Sequence, residues 1–302
     1  MKIGYPCINR TVKCCSARTF RLSSYSEERL IETTAANLMC LEKILEFNRA
    51  KSILFFRITS DLIPFASHPV CRVDWEMHFK SDFDRIGKMI RTYDMRISMH
   101  PDQFVLLNSP KREVLENSIS ELKYHAKLLD LMGLDKSAKI QIHVGRVYGK
   151  KKEAMERFID RYKYLPENVR ERLVIENDER LYSLVDCLSI DNSTGIPVLL
   201  DVFHHSILGD GITQLDSLKL SQWTWLPEDG IPVVDYSTQQ GGARKGKHTE
   251  SIDLEHFSDF LRVSSSYDFD IMLEIKDKEL SAQSAIRVAQ TDERFSRVTK
   301  GC

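Results

Sequence analysis

No apolar run in the 302 residues approaches the roughly 20 that a bilayer-spanning helix needs, which argues against an integral helical membrane protein. No C-x-x-C pair is present. The seven cysteines, Cys7, Cys14, Cys15, Cys40, Cys71, Cys187 and Cys302, are scattered and odd in number. That pattern argues against both a disulfide framework and a zinc finger, and it fits a reducing, cytoplasmic setting. The N-terminus enters a strand-like segment directly, with no signal peptide. Net charge is nearly absent: 43 basic against 44 acidic residues give −1. Binding to nucleic acid by bulk charge would call for a basic excess, so any such face must be local. Lys150-Lys151-Lys152 and Arg244-Lys245-Gly246-Lys247 are the available runs, although short basic runs are more often plain solvated surface. A Gly-rich phosphate loop and a G-x-S-x-G elbow are both missing. Gly241-Gly242 stands alone and marks only a flexible loop. With no linker or low-complexity stretch, residues 1–302 read as one domain.

What is there is a repeat of short β-rich runs between helical patterns. Eight such runs occur: 2–6, 52–58, 96–100, 139–145, 172–177, 197–204, 231–237 and 270–276. Their continuous apolarity fits strands covered on both faces. Between them, Ser24-x-x-Glu27 resembles a capping box, followed by Leu30, Leu38, Leu41 and Leu45 on one face. Val114, Leu115, Ile119, Leu122, Ala126 and Leu129 make a second packing stripe. Eightfold strand–helix alternation predicts a single TIM (β/α)8 barrel, with a doubly wound open sheet as the alternative.

In such a barrel the strand C-termini converge on one mouth, where active sites lie. Six consecutive runs end in or near a His, Asp or Glu: His100, His143, Glu176, Asp201 with His204, Asp235, and Glu274. One strand-end His or carboxylate is ordinarily structural. Several carboxylates around one cavity repel one another, and bound divalent cations are the natural remedy. Imidazole and carboxylate without thiolate point to Zn2+, Mn2+ or similar ions. Glu176 and Asp201 can each bridge two ions, and His248 can add a ligand from the loop after the seventh strand. Such a cluster suits phosphodiester hydrolysis, one ion activating water and another stabilising the leaving oxygen.

At these residues the sequence resembles the UV damage endonuclease family, TIM-barrel relatives of endonuclease IV. The matching stretches are Gly4-Tyr5-Pro6-Cys7 with Asn9, Phe56-Arg57-Ile58, Pro64-Phe65-Ala66-Ser67-His68-Pro69, Ser98-Met99-His100-Pro101 with Gln103, Glu176-Asn177-Asp178-Glu179-Arg180, Asp201 with His204-His205, and Glu274 with Lys276 and Lys278. The resemblance implies an enzyme that nicks double-stranded DNA 5′ to UV photoproducts, leaving a 3′-hydroxyl and a 5′-phosphate. It also implies two or three divalent ions, Mn2+ first, with Zn2+ or Mg2+ as alternatives. It assigns His100, His143, Glu176, Asp201, His204, His248 and Glu274 as metal ligands, and His68, in a motif near that site, joins the expected metal set. Glu176, His100 and His143 are the expected catalytic core. Gln103 and Phe104 match a pair that wedges into the duplex at the lesion, and Tyr5 and Asn9 match residues near the damaged bases. Asp235 stands where the resemblance leads one to expect His, and Val233 where it leads one to expect Lys. A carboxylate is a sound substitute ligand, so Asp235 joins the expected metal set. Phe104 stands where Tyr is common, and stacking needs the ring more than the hydroxyl. The expected protein is a monomer with no membrane partner. The competing readings are an apurinic-site endonuclease, a sugar isomerase of the xylose isomerase type, and a metal-free DNA-binding protein that has lost catalysis.

Overall fold

The structure is a computed structural model that describes residues 1–295; Cys302 lies outside the described residues. Eight parallel strands close into a barrel in chain order. They are β1 (Ile3–Pro6), β2 (Phe55–Ile58), β3 (Arg96–Met99), β4 (Lys139–His143), β5 (Leu173–Glu176), β6 (Val198–Asp201), β7 (Val233–Tyr236) and β8 (Asp270–Leu273). β1 pairs with both β2 and β8, which closes the ring. Each strand is shorter than its apolar run, because the flanking residues turn into loops that feed the helices. The largest difference is at β6. Asp201 ends the strand by capping the helix Val202–Leu208, its Oδ1 accepting from the His204 amide at 2.7 Å, so the run to His204 is half strand and half helix.

Strand residues alternate between two cores. Outward residues such as Phe56, Ile97, Ile140 and Ile175 pack under the helices. Inward residues Phe55, Val174, Leu199, Val233 and Met272 form a small separate cluster with Trp225. Two positions further along those same strands come Arg57, Glu176, Asp201, Asp235 and Glu274. The period of two therefore stacks an apolar layer beneath a charged one at the mouth. Below the apolar layer, Arg96 pairs with Asp270 and Lys139 with Asp229, all buried.

The first helical stripe holds: Leu30, Leu38, Leu41 and Leu45 are buried in the helix Glu27–Ala50. Its cap is Ser26, which accepts from the Arg29 amide at 3.1 Å, and not Ser24, which ends a separate short turn (Leu22–Ser24). In the second stripe Leu122, Ala126 and Leu129 are buried, while Val114, Leu115 and Ile119 are half-buried. The cysteine reading needs correction at one pair. Cys14 and Cys40 are joined as a disulfide, which ties the loop after β1 to the first helix. Their 26-residue separation carries no local motif, so only the folded chain brings them together. Among the described residues no helix is long and apolar enough to cross a membrane.

Candidate functional site

β3, β4 and β5 end side by side, and this brings His100, His143 and Glu176 together at the mouth. One ligand atom from each lies within 4.8 Å of the others. Asp201, Asp235 and Glu274 form a second such group from β6, β7 and β8. Glu176 is 2% exposed and stands between the imidazoles, with His143 Nδ1 at 3.0 Å from one oxygen and His100 Nε2 at 3.8 Å from the other. His204 reaches the same space through Nδ1, 3.3 Å from Asp201 Oδ2 and 3.9 Å from Glu176.

Several imidazoles are locked by backbone carbonyls. Nδ1 of His100 donates to Pro101 O at 2.8 Å, and Nδ1 of His248 donates to Glu274 O at 2.9 Å. His204 Nδ1 donates to Asn177 O at 3.2 Å. A carbonyl can only accept, so each contact puts a proton on Nδ1, and on His100 and His248 this leaves Nε2 to offer a lone pair. Asn177 also exchanges hydrogen bonds with the Asp201 backbone in both directions, which fixes β5 against β6 at the rim.

The electrostatics describe a site short of positive charge. Burial pushes Asp201 up to about 7, with Glu274 and Glu176 adding to the rise against the pull of His204. Burial disfavours the His143 and His204 cations, yet Glu176 and Asp201 outweigh it and raise both imidazoles to about 9. For Glu176 burial acts upward, and His143 and His100 reverse it, holding the carboxyl well below the ordinary range. Burial acts upward on Glu274 too, and Arg57 together with His248 and His100 reverses it, holding the carboxyl at about 2.

Three buried atoms of the His, Asp and Glu residues here make no aligned hydrogen bond, His143 Nδ1, Glu176 Oε2 and Asp201 Oδ2, although His143 Nδ1 and Asp201 Oδ2 lie in ion-pair contact with Glu176 and His204. Buried polar atoms without a hydrogen bond are costly and rare, and here they cluster on residues with metal-ligand chemistry. Divalent ions fit this donor set, since they would coordinate the free lone pairs and displace the imidazole protons. His100, His143, Glu176, Asp201, His204, His248 and Glu274 could hold them.

Other expected residues fall elsewhere. His68 does not join the cluster. It is exposed, its Nδ1 accepts from the Val70 amide at 3.0 Å, and it lines a neighbouring cavity of about 450 Å³ with Phe104, Asp102 and Glu121. Tyr5 and Asn9 are buried, not presented at the surface. Asn9 Nδ2 donates to the Tyr5 hydroxyl at 2.7 Å, and that hydroxyl donates to Asn48 at 2.8 Å. Asn9 Oδ1 accepts from the amides of Thr11 and Val12, so this pair shapes the loop after β1. His205 turns outward, its Nε2 donating to Ile212 O. Gln103 and Phe104 sit in the loop after β3, and the Phe104 ring is 73% exposed. Gln103, His100, His143 and Arg180 line a cavity of about 350 Å³ at the mouth. Of the two basic runs, the first is largely spent in ion pairs, Lys150 with Glu153 and Lys151 with Asp186.

Two site residues carried no assigned role in the sequence reading: Arg57 and Gln141. Arg57 is 2% exposed, and its Nη2 donates to Gln141 Oε1 and to both oxygens of Asp235. Their signal was a polar residue inside the apolar runs Phe55-Phe56-Arg57-Ile58 and Ile140-Gln141-Ile142. Burial works against the Arg57 cation, and Asp235 and Glu274 raise its pKa above its already high ordinary value.

The family model described as "UV-endonuclease UvdE" matches residues 1–301. The chain belongs to the UvdE family. That membership makes it an endonuclease, a hydrolase. It is 40% identical over 288 residues to the UV DNA damage endonuclease of Clostridium perfringens, covering 95% of this chain and 70% of that one. With the UV DNA damage endonuclease of Bacillus cereus it shares 34% identity over 93% of its own length and 92% of the relative's. Among solved structures it superposes on SacUVDE with a TM-score of 0.92 at 46% identity, covering 96% of this chain and 98% of that one. Endonuclease IV from Thermus thermophilus matches at a TM-score of 0.58 and 18% identity over 82% of this chain and 92% of that one, which shows the shared barrel alone.

Proposed function

We propose that this UvdE-family chain repairs DNA by nicking the backbone 5′ to UV photoproducts, cyclobutane pyrimidine dimers and 6-4 photoproducts, with two or three divalent ions, Mn2+ first, at the barrel mouth. The observation that carries the reading is the buried set of imidazoles and carboxylates with three atoms that make no aligned hydrogen bond, His143 Nδ1, Glu176 Oε2 and Asp201 Oδ2. When bound there, such ions supply a water acidified toward neutral pH and positive charge for the phosphate in flight.

The chain's own residues do the rest. Glu176 turns Oε1 toward both His143 and His204 and Oε2 toward His100, so it links the imidazoles of the two sides. Asp201 spends Oδ1 on the helix cap and turns Oδ2, which makes no hydrogen bond, toward His204 at 3.3 Å, which fixes the direction of its ligand atom. The carbonyl contacts of His100, His204 and His248 hold each ring in one orientation, so little reordering is needed on loading. At the rim, Phe104 and Gln103 are exposed and able to enter a duplex already weakened in stacking by a photoproduct. Tyr5 and Asn9 act behind the surface, as supports of the loop after β1.

The test is a nicking assay on a duplex with one photoproduct, with Mn2+, Zn2+ or chelator, beside a duplex with one abasic site. Metal-dependent cleavage 5′ to the photoproduct is expected. Cleavage confined to the abasic duplex would replace this reading with an apurinic-site endonuclease.

A further inference from the structure

Asp235 differs from every other carboxylate of the mouth. It is 0% exposed and accepts from Arg57 Nη2 at 2.8 Å and 3.0 Å and from Gln141 Nε2 at 2.7 Å. Oδ2 takes two of these three bonds. Gln141 closes the arrangement, accepting from Arg57 Nη2 at 2.7 Å through its carbonyl while its amide donates to Asp235. By contrast, Glu176 Oε2 and Asp201 Oδ2 have no hydrogen-bond partner. Arg57 Nη1 donates to Glu274 Oε1, which leaves Glu274 Oε2 on the side of His248, 4.0 Å from its Nε2.

Proximity alone puts Asp235 in a potential metal group with Asp201 and Glu274. A guanidinium already occupies the inner side of that group, however, bonded to two of its three members. Arginine cannot give up its proton in a protein, so its charge is permanent and an entering ion cannot neutralise it as it could an imidazolium. A divalent ion bound by Asp235 would face that charge across a buried contact, and would break a network in which each Asp235 oxygen is satisfied.

We propose that Arg57 is the resident cation at this end of the mouth: Asp235 positions Arg57 and takes no metal. Divalent ions load on the His100–His143–Glu176 side, with Asp201, His204, His248 and the outer oxygen of Glu274. Arg57 in turn is a positioning residue that aims Glu274. This inference rests on the metal reading given above and deepens it.

The experiment compares wild type, Asp235→Asn and Glu176→Gln after loading with Mn2+ and removal of free ion. Bound Mn is counted by mass spectrometry, and the Mn-induced rise in Tm is measured by calorimetry. Asp235→Asn should keep the wild-type number of Mn equivalents and the wild-type Mn-induced rise, while its metal-free Tm falls because Arg57 loses one of its two counter-ions. Glu176→Gln should lose Mn and most of the rise. Loss of an equivalent in Asp235→Asn, or a tenfold weaker Mn midpoint, would overturn the inference. Should the variant fail to fold, Mn anomalous diffraction from wild-type crystals decides it: an Mn peak within roughly 2–2.5 Å of an Asp235 oxygen overturns the inference, and its absence there supports it. A wild-type protein that takes up no Mn would overturn the metal reading itself, a result distinct from loss confined to the variant.

Discussion

Glu176→Gln tests the site most sharply, because it changes the charge and one atom and leaves the shape alone. In the native chain Glu176 lies 2% exposed, with imidazole nitrogens of His143, His100 and His204 at 3.0, 3.8 and 3.9 Å. A carboxylate offers two oxygens with about four lone-pair sites, here Oε1 on the flank of His143 and His204 and Oε2 on the flank of His100. The amide keeps one acceptor oxygen and turns an NH2 with two donors toward whatever occupied the other flank. That flank loses a ligand and gains a repulsive contact, so an ion shared across Glu176 loses its hold on at least one side. Without activated water the hydrolysis barrier should rise by at least ~4 kcal/mol, a loss of about 10³-fold or more in kcat. Stability of the metal-free protein should fall as well. His143 and His100 hold the Glu176 carboxyl well below the ordinary range, and Glu176 in turn helps raise His143 and His204 to about 9. Removing its charge leaves those imidazolium groups without their partner, so the metal-free Tm should drop, and the Mn-induced increment disappears. That increment reports binding directly, about 2.7 kcal/mol for an ion at 100 times its Kd. The assays are single-turnover nicking of a one-photoproduct duplex at saturating Mn2+ and melting with and without Mn2+. Nicking within about tenfold of wild type, equivalent to ~1.4 kcal/mol, would refute the role given to Glu176.

Gln103→Ala with Phe104→Ala removes an exposed ring and its neighbour; losing one base–aromatic stack costs roughly 1–3 kcal/mol, so photoproduct affinity should fall about 5- to 150-fold, with undamaged-duplex affinity and metal content unchanged in titrations at fixed salt. Burial lowers the His125 imidazole to about 4 from 6.5. The unfolded chain therefore takes a proton that the folded chain refuses, and stability is lost as pH falls from about 6.5 to about 4, by about 3 kcal/mol from this residue; urea midpoints across that window should fall less steeply in His125→Gln than in wild type. Cys14→Ser opens a loop closed over a separation of 26 residues, which should cost ~3–4 kcal/mol of stability in melting experiments under oxidising conditions and nothing further under reductant.

The barrel and much of its mouth were legible because one rule governs both. Inward strand positions recur every second residue, so the apolar residues Val174, Leu199, Val233 and Met272 of the inner core announce where Glu176, Asp201, Asp235 and Glu274 will point. A reader of the apolar runs alone sees strand ends bearing chemistry and can place them on one rim. What stayed hidden depends on contacts between segments distant in the chain. Tyr5 and Asn9 match residues near the damaged bases, and only the fold shows that Asn48, from the far end of the first helix, accepts from the Tyr5 hydroxyl inside the protein. His68 lies against Phe65 and lines a side cavity, a placement that no local pattern encodes. Asp235 is the most instructive case. By residue type and strand position it matches its neighbours, and only the partner separates it from them. Arg57 lies 178 residues away in sequence, and the closure of β2 against the opposite wall makes it the counter-ion. Position on the rim thus says which residues can meet an ion, while the hydrogen bonds each already holds say which are free to bind one.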